Sequence, residues 1–74
     1  MDELYTVKDV SKVLKTSVPF VYKLIKAGQI KAMKLGYIKI RKEEVERFMK
    51  ESEGLDITDP QNIKPFALQG EYYE

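Results

Sequence analysis

Residues 17–28 read Ser17-Val18-Pro19-Phe20-Val21-Tyr22-Lys23-Leu24-Ile25-Lys26-Ala27-Gly28. Ser17 suits an N-cap, because its hydroxyl accepts from a backbone N–H that the first helical turn leaves unpaired. Pro19 falls in that first turn, where a missing N–H costs nothing. Gly28 supplies the left-handed residue on which helices often stop. Together these marks predict a helix over about 18–27. On a helical wheel Val21, Leu24 and Ile25 share one face. Pro19, Tyr22, Lys23 and Lys26 share the opposite face, and Phe20 falls on a flank. The helix therefore has one face to bury and one to present.

Towards the N-terminus, Thr6 is a second N-cap, with Asp9 placed to complete a capping box. Tyr5 and Val10 are spaced as a hydrophobic staple. Val7, Val10, Val13 and Leu14 recur at helical spacing and predict a helix over about 7–14, with Lys8 and Lys12 off the stripe. About three residues then separate the two helices, the spacing of a helix-turn-helix.

Towards the C-terminus the pattern changes. Ile30-Lys31-Ala32-Met33-Lys34 and Tyr37-Ile38-Lys39-Ile40 alternate apolar and basic residues around Leu35-Gly36, which reads as a β-hairpin. Ile38 and Ile40 share a face, and Lys39 points the other way. A third helix follows over about 42–51. Glu43 and Glu44 sit in its first turn, Val45, Phe48 and Met49 form its stripe, and Glu46 and Lys50 pair at i,i+4. The expected fold is α+β and mainly helical. It is a small winged helix-turn-helix (helix-turn-helix, two-stranded hairpin wing, third helix) over 1–52, with a C-terminal tail over 53–74. The tail contains Gly54, Pro60, Pro65 and Gly70 and has no sustained periodicity. Yet Leu55, Ile57, Ile63, Phe66, Leu68, Tyr72 and Tyr73 are many apolar groups for a disordered linker. It reads either as a free tail or as a segment that docks on the domain or on a partner. The expected core is Val7, Val10, Leu14, Val21, Leu24, Ile25, Ile40, Val45 and Phe48.

The 74 residues make one small domain, and a net charge of +1 conceals a strong asymmetry. Residues 6–42 hold ten basic residues against the single acid Asp9. Residues 52–74 set Lys64 against Glu53, Asp56, Asp59, Glu71 and Glu74. A basic block followed by an acidic end is the charge pattern of a nucleic-acid binder. With no cysteine and no histidine, the chain lacks disulfides, thiolate ligands and the commonest general base and metal ligand. No apolar run approaches the ~20 residues of a membrane span. The start Met1-Asp2-Glu3-Leu4 lacks the features of a signal peptide, so a cytoplasmic protein without membrane contact is expected. Gly36 is solitary, so no phosphate-binding loop is present, and the helix dipole accounts for Glu43-Glu44-Glu46. No catalytic residue, metal site or cofactor is expected, and the protein is read as a binding module rather than an enzyme.

For double-stranded DNA, the presented face of the second helix supplies the candidates. Lys23 and Lys26 can reach guanine acceptors or phosphates, and Tyr22 can bond a phosphate or pack on sugar. Ser17 lies at a helix N-terminus, where N–H groups favour phosphate, and Pro19 and Phe20 can touch thymine methyls, with core packing as the alternative for Phe20. In the wing, Lys34, Lys39 and Arg41 are the candidates for backbone or minor-groove contact. If six to eight basic groups meet phosphates, the log–log salt slope is roughly −5 to −7.

The run YTVKDVSKVLKTSVPFVYKLIKAGQIKAMKLGYIKIRKEEVERFMKE, about 5–51, resembles the excisionase-type DNA-binding domain, a relative of the MerR-type winged helix. Thr6-Val7 matches its Thr-capped opening helix. Ser17 and Val21-Tyr22 match its Ser-capped recognition helix, and Ala27-Gly28 matches its small-residue–glycine stop. Met33-Lys34-Leu35-Gly36 matches its hairpin, and Val45, Glu46 and Phe48 match its closing helix. The chain departs from the family at Lys15-Thr16, where glycine and an apolar residue are frequent, at Pro19, and in a wing about one residue shorter. The resemblance implies an excisionase, or recombination directionality factor, of a bacterial mobile element. Such a protein binds and bends attachment-site DNA in several copies, assists an integrase in excision and associates with the nucleoid. A small MerR-like transcription regulator and a protein-interaction adaptor are the alternatives.

Overall fold

The computed structural model describes residues 3–66. In chain order the elements are β1 (Leu4–Thr6), α1 (Val7–Val13), α2 (Val18–Lys26), β2 (Met33–Leu35), β3 (Tyr37–Arg41), α3 (Lys42–Glu51), β4 (Leu55–Asp56) and β5 (Lys64–Pro65). This is the α+β, winged helix-turn-helix plan expected from the sequence.

Thr6 ends β1 and caps α1 at once. Its Oγ1 accepts from the Asp9 N–H at 3.0 Å, and the Asp9 carboxylate accepts from the Thr6 N–H at 3.0 Å. Hydrogen bonding from the Thr6 N–H, with a further contribution from the Thr6 side chain, holds the Asp9 carboxyl below the usual carboxylate range. α1 stops in a Schellman motif: the Thr16 N–H donates to the Ser11 carbonyl at 2.9 Å and the Lys15 N–H to the Lys12 carbonyl at 3.2 Å. That motif needs a left-handed residue, and Lys15 takes it with φ 54°. The departure from glycine at this position thus costs the chain some backbone strain without changing the turn.

Ser17 Oγ accepts from the Phe20 N–H at 3.2 Å and opens α2. A second Schellman motif closes it, with Gly28 at φ 80° and the Gln29 N–H on the Leu24 carbonyl at 2.9 Å.

The sheet has three strands, in the order β1-β3-β2, all antiparallel. A two-stranded wing was expected; the third strand is the short Leu4–Thr6, whose Tyr5 lies opposite Ile40. The hairpin is tight. Leu35 pairs with Tyr37, leaving Gly36 alone between them at φ 76°. The first wing strand is also shorter than the run 30–34 suggested. Ile30 lies outside it, buried in the core.

That core consists of Val7, Val10, Val21, Leu24, Ile30, Ile40, Val45 and Phe48, with Tyr5, Leu14, Phe20, Ile25, Ile38 and Ile57 packed around it. Of the apolar stripe expected on α1, Val13 is exposed, whereas Leu14 packs against the core as expected.

One ionic cluster fixes the linker between α2 and β2. Arg47 donates to both Glu44 oxygens, at 2.8 and 2.7 Å, to Glu51 at 2.7 Å and to the Gln29 carbonyl at 2.8 Å. The Lys31 N–H donates to Glu44 at 2.8 Å. Bonding to Arg47 depresses the Glu44 carboxyl from 4.5 to about 2. Because the folded value is depressed, the stabilisation is full above pH 4.5 and is lost as pH falls towards about 2. Glu44→Gln is therefore expected to lower stability near neutral pH by about 1–2 kcal/mol. The gap from wild type should close across that acid window. Urea midpoints measured at neutral pH and at progressively lower pH check this; a gap constant with pH would show that the carboxylate charge contributes nothing.

Beyond α3, Leu55 pairs with Pro65 and Asp56 with Lys64. Asp56 accepts from the Thr58 N–H at 3.0 Å and hydroxyl at 2.6 Å, which turns the chain. Ile57 packs against the core, Pro60 is buried, and Gln29 Nε2 donates to the Pro60 carbonyl at 3.2 Å. Of the segment 53–74, residues 53–66 thus lie on the domain. Residues 67–74, with Leu68, Tyr72 and Tyr73, lie outside the described residues.

Candidate nucleic-acid interface

The α2 face opposite Val21 and Leu24 is open, and a cleft lies on each side of it. The first, about 480 Å³, is walled by Val18 and Tyr22 of α2, by Tyr37, Ile38 and Lys39 of β3, and by Thr6, Val7 and Lys8. The second, about 500 Å³, lies between Lys23 and Lys26 and the loop Thr58, Asp59, Pro60 and Gln61.

The five α2 candidates lie on this element together. Ser17, Pro19, Tyr22, Lys23 and Lys26 are all exposed, and Tyr22 keeps 48% of its surface in solvent. Ser17 Oγ already accepts the cap bond, so towards a phosphate it has its own O–H to donate. Lys23 and Lys26 occupy the last turn, where the helix dipole favours positive charge. Phe20 packs against the core instead.

The wing candidates separate. Residues directly opposite in an antiparallel pair share a face, and successive residues alternate. The pairing Met33↔Lys39, Lys34↔Ile38 and Leu35↔Tyr37 therefore puts Lys39 on one face and Lys34 on the other, with Ile38. Lys39 is half-buried and faces the first cleft. Arg41 shares the Lys39 face, but its guanidinium is bound to Glu43 at 2.9 Å. It lines a different cleft, with Lys31, Glu43, Glu44 and Arg47.

Three features of the interface escaped the sequence reading. The sequence places Lys8 only off the apolar stripe; in the fold it lines the cleft beside Lys39. The sequence marks Tyr37 only as a strand residue; in the fold it is 83% exposed at the wing tip. The signal for Tyr37 was available: an aromatic next to a turn glycine breaks the polar rule for turns. Asp59 brings a carboxylate beside the α2 lysines, and only the folding of the C-terminal segment reveals that.

From Val10 to Lys42 the chain has no acid, so the acids that meet this face come from outside that run: Asp59 beside Lys23 and Lys26, and Asp9 near Lys39. Among the described residues, no cluster of three or more histidine, cysteine, aspartate or glutamate side chains is arranged to hold a metal ion. Among the same residues, no helix is long and apolar enough to cross a membrane.

The family model of the helix-turn-helix domain matches residues 4–53. It thus spans β1 to the end of α3 and stops before β4. Searches of curated proteins and of solved structures return no match. Domains of this kind are typically non-enzymatic, and the match points to DNA as the partner. A capped helix pair, an open second helix carrying Tyr22, Lys23 and Lys26, and a match over most of the chain agree, and the protein belongs to the helix-turn-helix domain family.

Proposed function

We propose that the protein is a sequence-specific double-stranded DNA-binding protein that acts as an excisionase in the bacterial cytoplasm. It would bind and bend attachment-site DNA and assist an integrase in excising a mobile element. The carrying observation is the open α2 face, with Tyr22, Lys23 and Lys26 exposed and Lys39 across one cleft, in a run without acids. A B-DNA major groove admits one α-helix, and lysine and tyrosine are the groups that meet its base edges and phosphates. In this reading residues 1–52 bind the duplex, and copies line up along it. The acidic and apolar segment 53–74 contacts the integrase or a neighbouring copy. A unit this small buries only about 600–1,000 Å² on DNA, so repeated sites and a protein partner supply the remaining affinity.

The double variant Lys23→Ala/Lys26→Ala tests the recognition-helix assignment. Both residues are exposed, so the fold is retained. Affinity for a duplex selected from a random pool is expected to fall about 10- to 100-fold, read by fluorescence anisotropy. Unchanged affinity in a normally folded variant would remove α2 from the interface. The excision role is read separately, by adding the protein to an integrase and its attachment-site DNA and measuring excised product.

A further inference from the structure

We propose that the cleft between α2 and the loop Thr58-Asp59-Pro60-Gln61 holds a phosphate of the duplex, with Gln61 donating to it opposite Lys23 and Lys26. The loop lies beyond the residues that match the helix-turn-helix family. The proposal rests on the DNA-binding reading above and carries its interface past residue 52. A helix with its side chains is about 10–12 Å across and the major groove is about 12 Å wide. A helix seated there therefore has a phosphate backbone along each flank. α2 has a cleft on each flank, one walled by the wing and one by this loop. Among the described residues neither Lys23 nor Lys26 is held in an ion pair, and the Gln61 side-chain amide has no partner. Both lysines sit in the last turn of α2, the negative end of its dipole, so a phosphate there has to be held by side chains. Two ammonium groups on one wall and an amide on the other are such donors.

The loop is fixed to the helix it flanks. Gln29 follows the glycine that stops α2, and its Nε2 donates to the Pro60 carbonyl at 3.2 Å. Pro60 is buried, and Ile57 packs against the core. Asp59 shapes the turn: its Oδ1 accepts from the Gln61 N–H at 3.1 Å, and its carbonyl accepts from the Asn62 N–H at 2.9 Å. The Asp59 carboxylate is also the acid in the cleft wall, and its charge repels a phosphate. The turn needs only the Oδ1 acceptor, which asparagine supplies without the charge. Asp59 thus gives the cleft a measurable signature. Neutralising it strengthens binding where a phosphate occupies the cleft and leaves binding alone where the cleft stays in solvent.

The test uses the full chain and the selected duplex, read by fluorescence anisotropy. Gln61→Ala should bind about 3- to 10-fold more weakly, the loss of one hydrogen bond to a charged group. Asp59→Asn should bind about 3- to 10-fold more tightly at 50 mM salt, with a smaller gain at 200 mM. Glu53→Gln removes the same charge from an exposed site that does not line the cleft, and should change affinity less than about twofold. All three should keep the wild-type melting temperature, because all three side chains are exposed. A neutral methylphosphonate is then placed in turn along each strand. At one position it should abolish both the Gln61→Ala loss and the Asp59→Asn gain, which a purely structural role for the loop would not do. Unchanged affinity in Gln61→Ala, or a gain in Asp59→Asn that Glu53→Gln matches, overturns the proposal. With Lys23→Ala/Lys26→Ala still weakened, either result leaves α2 on the DNA and the loop off it. Loss of self-association or of integrase contact in Gln61→Ala, with DNA affinity unchanged, also overturns it and makes the loop a protein contact. Failure of the wild type to bind any duplex sinks the DNA reading and the phosphate cleft together.

Discussion

Ile40→Ala is expected to lower the unfolding free energy by about 3–5 kcal/mol, more than any other single substitution considered. Ile40 is fully buried in β3, the central strand of the sheet. It lies opposite Tyr5 and belongs to the same cluster as Val10, Leu24 and Val45. Removing its branched side chain therefore opens a cavity where sheet and helices meet. A single core in a chain this short rarely supplies more than about 3–5 kcal/mol in total. The variant should be largely unfolded at physiological temperature. Urea and thermal unfolding followed by circular dichroism check this, with two controls. Ile40→Val should cost only about 1 kcal/mol. Val13→Ala, at an exposed site, should change stability by less than about 0.5 kcal/mol. If Ile40→Ala melted like the Val13 control, the sheet would not share a core with the helices.

Why was most of this fold readable from the residues? Its helices carry local marks. Thr6 with Asp9, Ser17 with Pro19, and Gly28 are capping chemistry, and each acts within a few residues of itself. The stripe on α2 needed only the helical period. What escaped depends on long-range pairing. Leu4–Thr6 is too short to show alternation, and it becomes a strand only because β3 lies beside it. Ile30 looked like a strand residue because it alternates with Lys31, but the Schellman turn at Gly28 folds it under α2. The Arg47 cluster joins side chains to the Gln29 carbonyl and the Lys31 amide, and backbone groups leave no trace in composition. The candidate site divides in the same way. Ser17, Pro19, Tyr22, Lys23 and Lys26 sit on one helix, so one wheel gathers them. The opposite facing of Lys34 and Lys39 follows from a register set by a single-residue turn, and the pairing of Arg41 with Glu43 required coordinates. Asp59 lies beside Lys23 and Lys26 only because Ile57 and Pro60 dock the segment that carries it.

Salt should weaken the protein's DNA binding by a few hundredfold between about 50 and 200 mM, with a log–log slope of about −4 to −5. If only the lysines that the two clefts and the wing present meet phosphates, the six to eight groups counted from the sequence become five. Lys8 and Lys39 line the first cleft, Lys23 and Lys26 the second, and Lys34 stands on the reverse of the wing. Arg41 is bound to Glu43 and lines the cleft that holds Glu44 and Arg47. Each phosphate neutralised releases condensed counterions and adds about −0.9 to the slope, so five lysines give the shallower value. Two substitutions separate this count from a general charge effect. Lys23→Ala/Lys26→Ala should flatten the slope by about 2. Arg41→Ala removes the same kind of charge from the chain and should leave the slope unchanged. Anisotropy titrations at five or so salt concentrations read all three proteins. If Arg41→Ala flattened the slope as much as one lysine does, the duplex would have displaced Glu43 and the wing would bind along its whole length. A wild-type slope shallower than about −2 would mean that phosphates are not what this basic face meets.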